Sequence, residues 1–133
     1  MKNQVYTGTP TSRRFALCPT TVVAGDAVLV GTEPAVALDD YSSVTLGTTF
    51  LFNGSFTLTV VGSSTHSPYT GAAIKPGSPV YASGSLDSAT NITTGLLISG
   101  TTTDTPFGFI DPSYTAGVTS GATDTAAIVR IGV

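Results

Sequence analysis

Cysteine is almost missing from this chain: Cys18 is the only one, so no disulfide can staple the fold from within. Tryptophan is absent, and histidine and methionine occur once each. Those gaps leave few side chains suited to metal binding or nucleophilic catalysis. Charge is scarce too, at 10% of residues, with 5 Lys and Arg against 8 Asp and Glu. The net charge of −3 excludes a general nucleic-acid binder, which needs a dense cationic surface. No apolar run approaches the roughly 18 residues of a membrane helix, and the opening residues show no hydrophobic signal segment. The expectation is therefore a chain with no membrane contact, no nucleic-acid partner, no cofactor and no metal.

What fills the sequence instead is 24 Thr, 14 Ser, 15 Gly and 8 Pro among 133 residues. Apolar types still reach 41%, enough to bury a core. The length fits one domain. Threonine suits solvent-facing strand positions, where β-branching helps and charge is not required. Composition predicts an all-β, soluble, non-catalytic protein.

The few charges are unevenly spread. Lys2, Arg13 and Arg14 lie in the first 14 residues with no acid among them. Beyond them, Lys75 and Arg130 face all eight acids, a net of −6. So small a set can divide this way by chance; the functional reading is a basic arm that leaves an acidic body and docks on a partner. Residues 1–14 (MKNQVYTGTPTSRR) read as that extended arm, because Gly8 and Pro10 oppose regular structure, and residues 15–133 read as a single β domain.

Helical periodicity is nearly absent, whereas short apolar runs recur between Gly and Pro. Strands are expected at Phe15–Leu17, Thr20–Val23, Ala27–Val30 and Ala35–Leu38, with a turn at Ala24-Gly25-Asp26. Ala27–Val30 is apolar on both faces and should be central. Val44–Leu46 and Thr48–Phe52 lead to Asn53-Gly54 and then Ser55–Val61. Asn-Gly between apolar runs signals a hairpin with a type I′ turn. A single long strand bulged at Gly54 fits as well, and both readings stand at this level. Lys75-Pro76-Gly77 suits a type II turn into Val80–Ala82. Residues 62–72 read as a polar loop and 83–94 as a loop or weak edge. Leu96–Ile98, Phe107–Ile110 and Ala126–Val133 supply the last strands, and Asp111-Pro112-Ser113 can open one short helical turn. Eight to ten short strands imply a barrel or two packed sheets.

No constellation carries chemistry. His66 has no second histidine with which to share a metal, and Cys18 reads as a small buried hydrophobe. Asp39 and Asp40 would point to opposite faces of a strand. Asp104, Asp111 and Asp124 lack the alternating acidic loop that holds calcium. Asn53-Gly54-Ser55 and Asn91-Ile92-Thr93 match the glycosylation pattern, as Ser/Thr-rich chains do by accident. The tyrosines are scattered and form no stacking platform.

Several segments, taken in order, resemble the capsid cement, or head decoration, proteins of tailed bacteriophages. A Gly-Asp turn feeds an apolar strand at Val23-Ala24-Gly25-Asp26-Ala27-Val28-Leu29-Val30-Gly31, followed by Ala35-Val36-Ala37-Leu38-Asp39. Phe52-Asn53-Gly54-Ser55-Phe56-Thr57-Leu58 matches a strand with an internal glycine and aromatic. Ile74-Lys75-Pro76-Gly77-Ser78-Pro79-Val80-Tyr81, Phe107-Gly108-Phe109-Ile110 and Ala126-Ala127-Ile128-Val129-Arg130-Ile131 complete the series. The likeness covers about residues 20–133. Ser78 stands where such proteins usually carry Asp, Val60-Val61-Gly62 where they carry a proline, and the 62–72 loop differs.

The resemblance implies a small β-barrel or β-tulip-like sandwich with an extended N-terminal arm. It implies a structural protein made in the bacterial host cytoplasm and placed on the outer capsid surface of the virion. Its partners would be the major capsid protein and further copies of itself, commonly as a homotrimer. In similar proteins the arm lies along the capsid protein and extends one of its sheets, which would assign Lys2, Val5, Tyr6, Arg13 and Arg14 to the contact. A β-sandwich binding module, an adhesin or carbohydrate-binding domain, is the alternative that Ser/Thr richness permits.

Overall fold

The computed structural model describes residues 13–62, 74–116, 118 and 125–132. Nine strands form: β1 (Arg13–Leu17), β2 (Ala27–Val30), β3 (Glu33–Ala37), β4 (Gly47–Leu51), β5 (Gly54–Val61), β6 (Pro79–Asp87), β7 (Ile92–Ser99), β8 (Thr105–Ile110) and β9 (Thr125–Ile131). No helix occurs among the described residues, and the expected all-β barrel is what the chain adopts.

The strands join in the order β1-β4-β3-β2-β7-β5-β9-β8-β6, and β6 returns to pair with β7. Five strands, β5 to β9, therefore close a small barrel, while β2, β3, β4 and β1 carry the sheet outward from β7 as an extension. Closure depends on a change of partner along β7. Ile92 and Thr93 pair with β2, whereas Ile98 and Ser99 pair in parallel with β5. Between them Gly95 takes a positive φ of 62°, open to glycine at no steric cost, and the strand swings from one neighbour to the other.

Two apolar cores follow from this layout. The barrel is filled by side chains such as Leu58, Val80, Ile98, Phe107, Ile110, Val129 and Ile131. The extension buries Cys18, Val22, Val28, Ala35, Ala37, Phe50, Phe52 and Ile92 against one face. Strand β2 divides the two, sending Leu29 to the barrel and Val28 to the extension, as its two apolar faces predict. In β5, Leu58 and Val60 point inward while Ser55, Thr57 and Thr59 meet solvent.

The structure decides between the two readings at Asn53-Gly54. β4 lies beside β1 and β3, and β5 lies beside β7 and β9, so they form no hairpin. A type I′ turn needs positive φ at both central residues, and only Gly54, at 122°, has it. One bent course thus runs from the extension into the barrel. The Lys75–Ser78 turn forms as expected, with Ser78 N–H donating to the Lys75 carbonyl at 3.0 Å and Gly77 at φ 81°.

Other segments differ from expectation. Thr20–Val23 is no strand; the chain turns there, with Val22 N–H on the Pro19 carbonyl, and Val22 plugs the extension core. Val44–Leu46 is a turn. Residues 83–94, read as a loop or weak edge, are strand: they are the facing ends of the β6–β7 hairpin, which turns at 88–91 with Asn91 at φ 60°. Their Ser and Thr side chains hid the pairing, because a half-exposed ladder needs few apolar residues. Asp111-Pro112-Ser113 opens no helix. Asp111 instead closes a single turn, accepting from the Ser113 N–H at 2.9 Å while its carbonyl takes the Tyr114 N–H at 2.8 Å.

Candidate functional site

The proposed arm loses its last two residues to the sheet. Arg13 and Arg14 are the first residues of β1, opposite Leu51 and Phe50 of β4. Lys2, Val5 and Tyr6 lie outside the described residues. Strand alternation parts the two arginines. Arg14 turns to the side of the extension core, 2.9 Å from Glu33 and with its guanidinium 4.1 Å from the centre of the Phe52 ring. Both members of that ion pair are more than half exposed, so it contributes at most about 1 kcal/mol, and the stacking adds a similar increment. Arg14 is therefore engaged within its own subunit.

Arg13 shares the other side of β1 with Phe15 and Leu17, which are 51% and 52% exposed. β1 is an end strand, bonded to β4 alone among the described strands. Its close seating needs Gly47, where any Cβ would run into the Ala16 carbonyl. Beside it the Ser42–Gly47 turn carries Val44 and Leu46, 89% and 56% exposed. Leu46 N–H donates to the Ser42 carbonyl at 2.7 Å, and its own carbonyl accepts from Cys18 N–H at 3.2 Å. Those bonds pin Leu46 at φ 64°, a conformation bulky residues seldom adopt. Phe15, Leu17, Val44 and Leu46 thus make an exposed apolar rim at the Leu17–Gly47 end of the β1–β4 pair, the end away from Arg13. Sequence reasoning missed it, although the alternation Arg13, Phe15, Leu17 was a usable signal.

The other polar candidates do not converge. Asp40 accepts from the Ala24 N–H at 2.9 Å, and Asp26 from the Val23 N–H at 3.0 Å, so both carboxylates brace loops. Cys18 is buried, and burial pushes its thiol pKa up, away from the reactive thiolate. Asp111 is held by the Ser113 N–H, then by the Ser113 and Ser55 hydroxyls and by nearby Arg130, which brings its pKa down to about 2. Tyr41 and Tyr114 pack on different cores. His66 and Asp124 fall outside the described residues. A cleft of about 340 Å³ opens where β7 parts from β5, between Asp26–Ala27, Thr57–Thr59 and Gly95–Leu96. Its only carboxylate is Asp26, already bonded to backbone. No three His, Cys, Asp or Glu side chains among the described residues are grouped to hold a metal. No family model matches the chain, and neither a curated protein nor a solved structure matches it.

Proposed function

We propose that this protein is a bacteriophage head decoration protein, which binds the outer surface of the major capsid protein shell and stabilises it without catalysis. The observation that favours this reading is the position of β1: the segment expected to form the arm ends in β1, which is bonded to β4 alone among the described strands. An arm rooted there leaves from the rim of the molecule and can lie along a neighbouring surface. Adding a strand to a shell sheet supplies backbone hydrogen bonds without demanding particular side chains. Ordering each arm residue costs about 1–2 kcal/mol, so one arm binds weakly. Three arms on a trimer would raise avidity by roughly 10² to 10⁴. Because such a protein binds the assembled shell alone, it stabilises that state by mass action.

The test is decoration of purified heads that lack the protein. Because Arg13 and Arg14 belong to β1, the informative truncation removes residues 2–12 only. The intact chain should bind and raise the temperature at which heads rupture. The truncated chain should keep its circular dichroism and fail to bind. Heads that the intact chain never decorates would sink the reading, and full decoration by the truncated chain would sink the role of the arm.

A further inference from the structure

The sheet is forked where barrel and extension part. β5 pairs with β9 from Gly54 to Val60, but on its other side it meets β7 at Val60 and Val61 alone among the described strands. β7 is bonded to β2 at Ile92 and Thr93 and to β5 at Ile98 and Ser99, so on that side no described strand pairs with Thr94–Leu97. Ala27 and Val28 of β2 have β3 as their one described neighbour. These open stretches border the cleft of about 340 Å³ described above. Every second residue of an unpaired stretch aims its N–H and C=O at the gap, and such a row is a template for another strand. We propose that the fork is a strand-acceptor site. It takes an extended peptide segment of a partner protein, with alternate residues apolar and a lysine or arginine beside Asp26.

Three observations commit the site to this occupant. First, the cleft has open backbone on more than one wall, so an inserted strand bonds through its main chain to β5 on one side and to β2 or β7 on the other. Second, its volume is close to the roughly 300 Å³ at the small end of ligand pockets, room for a segment and not for a folded domain. Gly25 and Gly95 keep it clear, since a Cβ at either would meet nothing within 4 Å. Third, the walls differ in polarity. Ala27, Phe56 and Leu96 are half-buried against the barrel core and call for apolar residues on the inner face of the guest. Thr57 and Thr59 face outward, and Asp26 is the one charged residue lining the cleft. By alternation Asp26 lies on the opposite face from Ala27. Its carboxylate accepts from the Val23 N–H, and among the described residues no cation pairs with it. A basic residue of the guest matches that charge, whereas an acidic one is repelled.

The inference does not rest on the reading as a head decoration protein. Its probe is a short acetylated peptide of alternating valine and threonine in which one threonine is replaced by lysine, with a twin carrying glutamate there. Amide spectra of the full chain by NMR read the contact. The lysine peptide should move the signals of residues 26–28, 54–59 and 94–97 and leave β8 in place, and the glutamate twin should bind roughly tenfold more weakly, a difference of about 1.4 kcal/mol. Asp26→Asn keeps an acceptor for the Val23 N–H and should erase the difference between the peptides. Thr59→Trp, at an exposed position on the wall, should block binding while circular dichroism is unchanged. No shift with the lysine peptide, or shifts confined to other strands, overturns the proposal. So do shifts at the fork that grow with protein concentration before peptide is added, which would make a second copy the occupant. Equal binding of both peptides to the parent chain refutes the role of Asp26.

Discussion

The barrel and the extension use the same materials to different ends. The barrel has no free strand, since β6 closes back on β7, and its core takes side chains from all five strands. The extension has a smaller core on one face and ends in β1, which has a neighbour on one side only among the described strands. Large apolar side chains left in solvent follow that division. Phe15, Leu17, Val23, Leu38, Val44 and Leu46 belong to the extension, against Leu86 and Phe109 in the barrel. A closed sheet can satisfy itself, whereas an open one keeps its apolar surplus at the edge, where a partner can use it.

The strongest attack on this contrast is at Phe50, fully buried in the extension core. Phe50→Ala should lower stability by about 3–5 kcal/mol, read by chemical denaturation. The buried Cys18 thiol lies in the same core and serves as a local probe. In Phe50→Ala it should react with a disulfide reagent faster than in the parent chain, while amide exchange in β5 and β9 stays slow. Equal loosening of both halves would mean that they act as one unit.

Gly47→Ala comes next. The added methyl collides with the Ala16 carbonyl and should cost about 1–3 kcal/mol by pushing β1 from β4. Exchange in β1 should accelerate and that in β8 should not. Leu46→Gly acts in the opposite sense. It releases a left-handed leucine and should raise stability by up to about 1 kcal/mol, visible as a small increase in melting temperature. A fall would show that the leucine packs within its own subunit.

The smallest effect lies in the barrel. Asp111 joins the end of β8 to Ser55 on β5 and lies near Arg130 on β9, and its carboxyl titrates at about 2 rather than near the ordinary 3.8. The folded value lies below the unfolded one, so its contribution is complete above the ordinary carboxylate range. It fades as pH falls through about 2. Carboxyl carbon shifts followed by NMR should show that low midpoint, and Asp111→Asn should flatten the acid side of the stability curve. A midpoint near 3.8 would mean that the Ser113 and Ser55 bonds do not persist in solution.

Much of the fold was legible because alternation and turn residues are local signals. Ala27–Val30 was placed to the residue, and Pro76-Gly77 dictated its own turn. The open choices and the failures fell where pairing is not local. Asn53-Gly54 has the composition of a hairpin, yet β4 and β5 find other neighbours, which no short window reveals. Ser83 to Thr94 lack the apolar alternation of a half-buried strand but are held by each other across the hairpin. Arg14 looked like part of a free cationic arm, and only the spatial approach of Glu33 and Phe52 shows where it is held. The rim itself combines residues 15–17 with 44–46, brought together because β1 lies against β4.

The claim that joins fold to function is that this molecule meets the shell through the open edge and not through the barrel. Hydrogen exchange on the full chain, free and bound to heads, tests it most directly. The account predicts new protection in residues 2–17 and 42–47, with β8 and β9 unchanged. Protection gained on the barrel, with β1 as exposed as before, would contradict it.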